Sequence, residues 1–244
     1  MAGALTGLFV FPAADLLARV AAAEVAARIA AGLEEDGRFR LALSGGATPV
    51  PLYRALAAGR HADRVDWNRV IVLFADERAV PPDHPDSNYR LARETLLGPA
   101  GVPEENVHRL HGEWPDLERA AADYERHLER PIDLALLGIG SDGHTCSIFP
   151  GSPLVFESVR RAAAVTDSPK PPARRLTLTA RALAEARRAM VIVTGRDKAG
   201  AVAKARDEAT DPRALPARLL RDREWWLDAA AAGAEASPAP SASA

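Results

Sequence analysis

The chain carries one cysteine, two methionines and, among its 244 residues, only 5% aromatics. A lone cysteine, Cys146, cannot close an internal disulfide, which excludes a disulfide-stapled scaffold and suits a reducing compartment. No apolar run approaches the roughly 18 residues of a membrane helix. The N-terminus also lacks the basic start and apolar block of a secretory signal. A cytoplasmic protein without membrane contact is therefore expected. Lysine is scarce as well: Lys170, Lys198 and Lys204 are the only ones, so arginine supplies nearly all positive charge. Those arginines are interspersed with Asp and Glu and the formal net charge is −2, which argues against a nucleic-acid surface. Scattered His and acidic residues form no metal-ligand set, so no catalytic metal is expected. There is no G-x-S-x-G elbow, and Cys146 has no protease-like context, so covalent nucleophilic catalysis is not expected either.

What the chain does have is apolar bulk, 48% hydrophobic residues, arranged as alternating strands and helices. Strands are expected at Leu8–Phe11, Phe39–Leu43, Val70–Ala75, Ile132–Leu137, Arg175–Thr179 and Met190–Thr194, with a short one at 106–110. Helices are expected from Asp15 to about Leu33, from the Ser44–Pro49 turn to about Ala58, at Ser87–Leu97 with Ser87 as cap, and at Leu117–Arg130. Two more are expected at Ala180–Arg188 and Lys198–Asp207. Trp225-Trp226-Leu227 reads as an edge strand or a packed cap. This alternation predicts a doubly wound α/β fold, a mostly parallel sheet with helices on both faces in a Rossmann-type three-layer arrangement. No internal repeat or composition break marks a linker, so residues 1–232 are expected to form one domain. The Pro/Ser/Ala-rich stretch 233–244 is expected to be disordered.

The most informative stretch is Leu134-Ala-Leu-Leu-Gly-Ile-Gly-Ser-Asp-Gly-His144, running on to Pro150. A buried parallel strand enters a three-glycine turn that ends with Asp142 and His144 two positions apart. Ligands of open α/β sheets bind beyond the carboxyl ends of such strands, and histidine moves protons near neutral pH. Gly138–Gly143 also satisfies G-x-G-x-x-G, but Pro150 and Pro153 leave little more than one turn for the long helix of a dinucleotide site. A purely structural turn with a solvated His144 is the remaining alternative, against which the glycine crowding and the Asp-Gly-His ending weigh.

Other strand ends add charge recognition. Ser44-Gly45-Gly46-Ala-Thr48-Pro49 offers backbone amides to an anion, with Thr48 as a cap and Pro49 in the first helical position. Asp76-Glu77-Arg78 ends a strand with three charges, and Arg78 can grip a phosphate or carboxylate. Lys198 sits in the first turn of a helix, where a cation is disfavoured unless an anion compensates it. Lys170-Pro-Pro-Ala-Arg174-Arg175 reads as a basic, proline-stiffened loop, while His61 and His84 read as exposed. The set implies a small phosphorylated ligand with proton-transfer chemistry at its other end.

Several segments in order resemble the 6-phosphogluconolactonase family: Leu43-Ser-Gly-Gly46, Phe74-Ala-Asp-Glu-Arg-Ala-Val-Pro81, Ser87-Asn-Tyr89, Leu137 to Pro150, Ser168-Pro-Lys-Pro-Pro172, Arg175-Leu-Thr-Leu-Thr179 and Gly195-Arg-Asp-Lys-Ala199. The matches run from about Leu8 to Asp228. The resemblance implies the fold of the wider glucosamine-6-phosphate deaminase group, hydrolysis of a phosphorylated sugar lactone, no cofactor, and no obligatory protein partner. It implies His144 as general base and Asp142 as its orienting partner. Phosphate would be held by Arg78, Lys198 and the Ser44, Gly45 and Gly46 backbone, with Arg175 as a weaker contact. Asp76 and the amides of the glycine turn, Gly140 and Gly143, complete the expected site. The deaminases resemble G-x-D-G-H-I-A-F-N-E-P, and where they carry a ring-opening glutamate this chain has Phe149. A non-catalytic sugar-phosphate sensor is a further alternative, but the few residues before Leu8 are not expected to hold the helix-turn-helix such regulators usually carry. The stretch between Leu215 and Trp225 looks trimmed relative to the family, which bears on C-terminal packing.

Overall fold

The computed structural model describes residues 7–62 and 64–234. Of the expected tail, 235–244 lie outside the described residues. Gly233 and Ala234 still follow the body of the protein, their amides donating to Ala230 and Ala229 carbonyls.

Strand β1 (Leu8–Phe11) leads into α1 (Ala14–Asp36), whose buried Leu17, Ala21, Val25, Ile29 and Leu33 recur at helical spacing. Gly37 ends α1 at φ 74°, its amide bonded to the Leu33 carbonyl, a conformation that glycine adopts without strain. Then follow β2 (Phe39–Leu43), α2 (Val50–Leu56), the single turn α3 (Gly59–Ala62), β3 (Val70–Phe74) and β4 (Asp76–Arg78). After these come α4 (Asn88–Ala92), which continues as a π-helical turn over Arg93–Leu97 into α5 (Gly98–Ala100), and α6 (Leu117–Glu125). The rest is β5 (Leu134–Leu137), β6 (Ala162–Val165), β7 (Arg175–Leu178), α7 (Ala180–Glu185), β8 (Arg188–Val193), α8 (Ala199–Arg206) and β9 (Glu224–Asp228).

Six strands form a parallel sheet in the order β1-β9-β8-β5-β2-β3. β2, β3 and β5 are almost wholly buried, as expected of near-continuous apolar strands covered on both faces. From β2 the chain moves outward to β3, then returns to lay β5 on the other side of β2. The order reverses at that point, and a crevice opens beyond the strand ends. This is the three-layer α/β architecture the pattern predicts.

Four sequence expectations need correction. Val70–Ala75 does not simply end in charge: Asp76–Arg78 is a strand of a second, antiparallel sheet, β4-β7-β6. Ala75 is the joint, its amide bonded to Leu43 of the large sheet and its carbonyl to Leu178 of the small one, both at 2.8 Å. β7 therefore belongs to the small sheet. Trp225 and Trp226 are not at an edge, because β9 lies between β1 and β8. Trp225 is fully buried, and its indole N–H donates to the Leu220 carbonyl at 3.0 Å. The stretch 106–110 makes one isolated bridge, Val107 to Val72, rather than a strand. Helix α2 starts later than expected, with Pro49 at its cap and no capping bond from Thr48.

Candidate active site

The carboxyl ends of β2, β5 and β8 and the inner edge of the small sheet enclose a cleft of about 350 Å³. Ser44, Gly45 and Gly46 border it from the loop after β2, Gly140 and His144 from the turn after β5, Asp76 and Arg78 from β4, Arg175 from β7, and Lys198 from the turn before α8. Of the expected site residues, Asp142 and Gly143 are not on its wall; Asp142 stands behind His144.

The turn after β5 is built around its glycines. A side chain at Gly140 would place Cβ 2.1 Å from His144 Nδ1 and 2.3 Å from Asp142 Oδ1, so only glycine lets the two functional groups meet. Gly143 has φ +81° and lies under Leu215, which a Cβ there would strike at 2.3 Å. The start of the segment from Leu215 to Trp225 packs onto this turn: Leu215 covers Gly143, and the Ala217 amide donates to the Gly143 carbonyl at 2.8 Å. The amide of Gly140 is bonded to the His144 carbonyl and that of Gly143 to the Gly140 carbonyl. Both glycine N–H groups are therefore committed to the turn rather than offered to a ligand.

His144 Nδ1 lies 2.5 Å from Asp142 Oδ1. Burial opposes ionisation of Asp142, but the hydrogen bond and charge of His144, with Lys170 behind, outweigh it and hold the carboxyl at about 2. Burial pulls the His144 imidazole below its ordinary value, partly offset by Asp142. Burial thus favours the uncharged ring, and a carboxylate at Nδ1 favours the tautomer with its proton there and its lone pair on Nε2.

The loop after β2 is pinned from below. Buried Tyr53 accepts from the Ser44 amide at 3.1 Å and donates to the Ser44 carbonyl at 2.7 Å, while Ser44 Oγ donates to the Leu136 carbonyl. Ser44 thus has its donors engaged, and the expected backbone cradle narrows to Gly45 and Gly46, whose amides donate to nothing among the described residues. Arg78 donates through one terminal nitrogen to the Asp86 carbonyl at 2.6 Å, and its Nε is buried without a partner. Lys198 is tethered only loosely, 3.7 Å from Asp197.

The two acidic residues after β3 divide their work. Asp76 faces the cleft, with Oδ1 accepting from Asn88 Nδ2 at 2.9 Å and Oδ2 from Ser147 Oγ at 2.7 Å. Glu77 points away and accepts four bonds: from the amides of Arg78, Asn88 and Tyr89, and from Ser87 Oγ. Burial raises its pKa against those bonds, and it serves as the anchor of α4. Arg175 is buried and spends Nε and one terminal nitrogen on the carbonyls of Pro172, Lys170 and Pro171. Its guanidinium carbon lies 5.5 Å over the Phe149 ring.

Sequence reading missed Asn88, whose carboxamide oxygen is buried without a partner where it meets the Gly45 backbone at the cleft wall. A side chain at Gly45 would stand 1.7 Å from it. Only the motif Ser87-Asn-Tyr89 hinted at this position. Cys146 also borders the cleft, and burial pushes its thiol well up, leaving no thiolate nucleophile. Among the described residues no group of three or more His, Cys, Asp or Glu is placed to hold a metal ion, and no helix is long and apolar enough to cross a membrane.

The geometry has clear relatives. The chain is 41% identical over 247 residues to the human 6-phosphogluconolactonase, covering 95% of each chain. It is 38% identical over 239 residues to that of Mycobacterium tuberculosis, covering 91% of this chain and 96% of the relative. The crystallised 6-phosphogluconolactonase of Trypanosoma brucei superposes with a TM-score of 0.81 at 27% identity, over 93% of this chain and 97% of that one. Residues 12–227 match the family model described as glucosamine-6-phosphate isomerases/6-phosphogluconolactonase. With that match and these identities over nearly full length, the chain belongs to the glucosamine-6-phosphate isomerase/6-phosphogluconolactonase family.

Proposed function

We propose that this chain hydrolyses 6-phospho-D-glucono-1,5-lactone to 6-phospho-D-gluconate, the second step of the oxidative pentose phosphate pathway. The observation that carries the reading is one cleft with a carboxylate-backed imidazole and three cations, Arg78, Lys198 and Arg175, on its walls.

A δ-lactone is an activated ester, so positioned water and a base suffice. The phosphate sits on Arg78, Lys198 and the Gly45 and Gly46 amides, and holds the ring so that water meets the carbonyl in line. His144 Nε2 takes a proton from the water as its oxygen bonds to C1. Asp142 stabilises the imidazolium so formed. The oxyanion on C1 is met by the second terminal nitrogen of Arg175, which has no protein acceptor among the described residues; it moves this residue from the phosphate end to the carbonyl end. Collapse breaks the bond from C1 to the ring oxygen, which recovers the proton from His144, and the new carboxylic acid loses its own proton to water. General base catalysis of this kind supplies about 10²–10⁴-fold.

Phe149 stands where a deaminase of this family would need an acid, so the reading favours hydrolysis over amine release. A single catalytic domain over 1–232, a cytoplasmic location and independence from protein partners or nucleic acid complete it. The test generates the lactone with glucose-6-phosphate dehydrogenase and follows its disappearance against the spontaneous rate. Acceleration supports the reading; no acceleration, with ammonia released from glucosamine 6-phosphate, overturns it.

A further inference from the structure

The loop between β6 and β7 brings a cation to the back of the base. Lys170 Nζ lies 3.1 Å from Asp142 Oδ2 and 3.4 Å from His144 Nδ1, yet Lys170 is not on the wall of the cleft. Its backbone is held on both sides: the carbonyl accepts from Ser168 Oγ and Arg175, and the amide donates to Ser168 Oγ. The contacts close into a circuit. Arg175 holds the Lys170 backbone and lies over Phe149; Phe149 stacks on His144; and His144 and its Asp142 meet the Lys170 ammonium.

We propose that Lys170 is a positioning residue for the base: its ammonium takes one carboxylate oxygen of Asp142, leaves the other for His144 Nδ1, and keeps the imidazole in the tautomer that bears its lone pair on Nε2. An ammonium offers three protons and accepts none. With the Nδ1 proton given to Asp142, the ammonium 3.4 Å away cannot accept it, and so it orients the carboxylate and opposes a positive ring. The groups facing His144 are Asp142 on its own turn, Lys170 from the loop before β7, Asp76 from β4, and Phe149 with Arg175 over it. Lys170 is the cation among them that acts against the imidazolium, whereas Asp142 and Asp76 favour it. The inference rests on His144 being the base, and the experiment separates the two.

Lys170→Met, Lys170→Arg and His144→Ala are compared with the parent across about pH 5 to 7.5, following lactone hydrolysis and, by NMR, the His144 ring nitrogens. Lys170→Met is expected to lower kcat about tenfold at pH 7, leave KM within about twofold, and move the acid limb of kcat/KM upward by about half to one pH unit. Lys170→Arg should restore most of kcat and the parent limb. An unmoved limb and ring titration in Lys170→Met, with His144→Ala inactive, overturns the role of Lys170 while leaving the base in place. A kcat loss that comes with raised KM and an unmoved limb also overturns it, since that is the mark of a loop merely disordered. Full activity in His144→Ala removes the base itself, and the proposal with it.

Discussion

The phenyl ring of Phe149 stacks on the imidazole of His144, their centroids 4.7 Å apart. Phe149 is buried, and the Arg175 guanidinium also lies over its ring, so one apolar ring both dries the base and packs against a cation. Burial is the largest influence on His144 and favours its neutral form. Phe149→Ala should therefore raise the imidazole's pKa and shift the acid limb of kcat/KM upward. The same change should cost about 3–5 kcal/mol of stability, as other buried Phe→Ala changes do. A pH–rate profile and a urea titration check both halves.

His144→Ala should lower kcat by about 10²–10⁴-fold, the usual worth of a general base. Calorimetry should show 6-phosphogluconate still binding, because the phosphate contacts lie on other loops. Lost product binding alongside lost turnover would place His144 in recognition instead.

Lys198→Ala should raise KM well beyond its effect on kcat, since a phosphate contact made equally in ground and transition states is uniform binding. Initial rates over a range of lactone concentrations separate the two. An unchanged KM would put the phosphate elsewhere.

Gly140→Ala should mimic loss of the base without loss of fold. Its Cβ would press on both His144 Nδ1 and Asp142 Oδ1, and it lacks the positive φ that would make any side chain strained there. A fall in kcat of at least tenfold with an unchanged circular dichroism spectrum is the expected outcome, a perturbed constellation costing far more than its small displacement suggests.

Stability should fall on mild acidification for a reason remote from the cleft. His108 stacks on His127 at 4.1 Å, and burial, then the neighbouring cations, hold His108 at about 4 against an ordinary 6.5. Between those values the unfolded chain binds a proton the native state refuses, so stability drops as pH falls through that window. His127 and His144, also lowered, act in the same direction. The denaturation midpoint should be lower at pH 5 than at pH 7.5, and His108→Gln should narrow the gap.

Much of this molecule was legible because its strongest signals are local. Phe39–Leu43 was read with its observed bounds, and Ser87 does cap α4, accepting from the Arg90 amide. The charged strand Asp76–Arg78 and the alanine strand Ala162–Val165 were not legible as a sheet. Three charges and a run of alanines carry no strand period, and only pairing across to β7 makes them strands. Loop residues of the site stood out because glycine beside His and Asp is chemically unusual. Asn88 and Lys170 did not, since their roles depend on contacts 12 and 28 residues away in Asp76 and Asp142, which no spacing rule encodes.

The central claim is that the sugar lies along the cleft with its phosphate and its reacting carbon at opposite ends. A crystal structure with bound 6-phosphogluconate tests it most directly. The phosphate should meet Arg78, Lys198 and the Gly45 and Gly46 amides, with the carboxylate within about 3.5 Å of His144 Nε2. A phosphate beside His144, or a carboxylate out of its reach, would contradict the account.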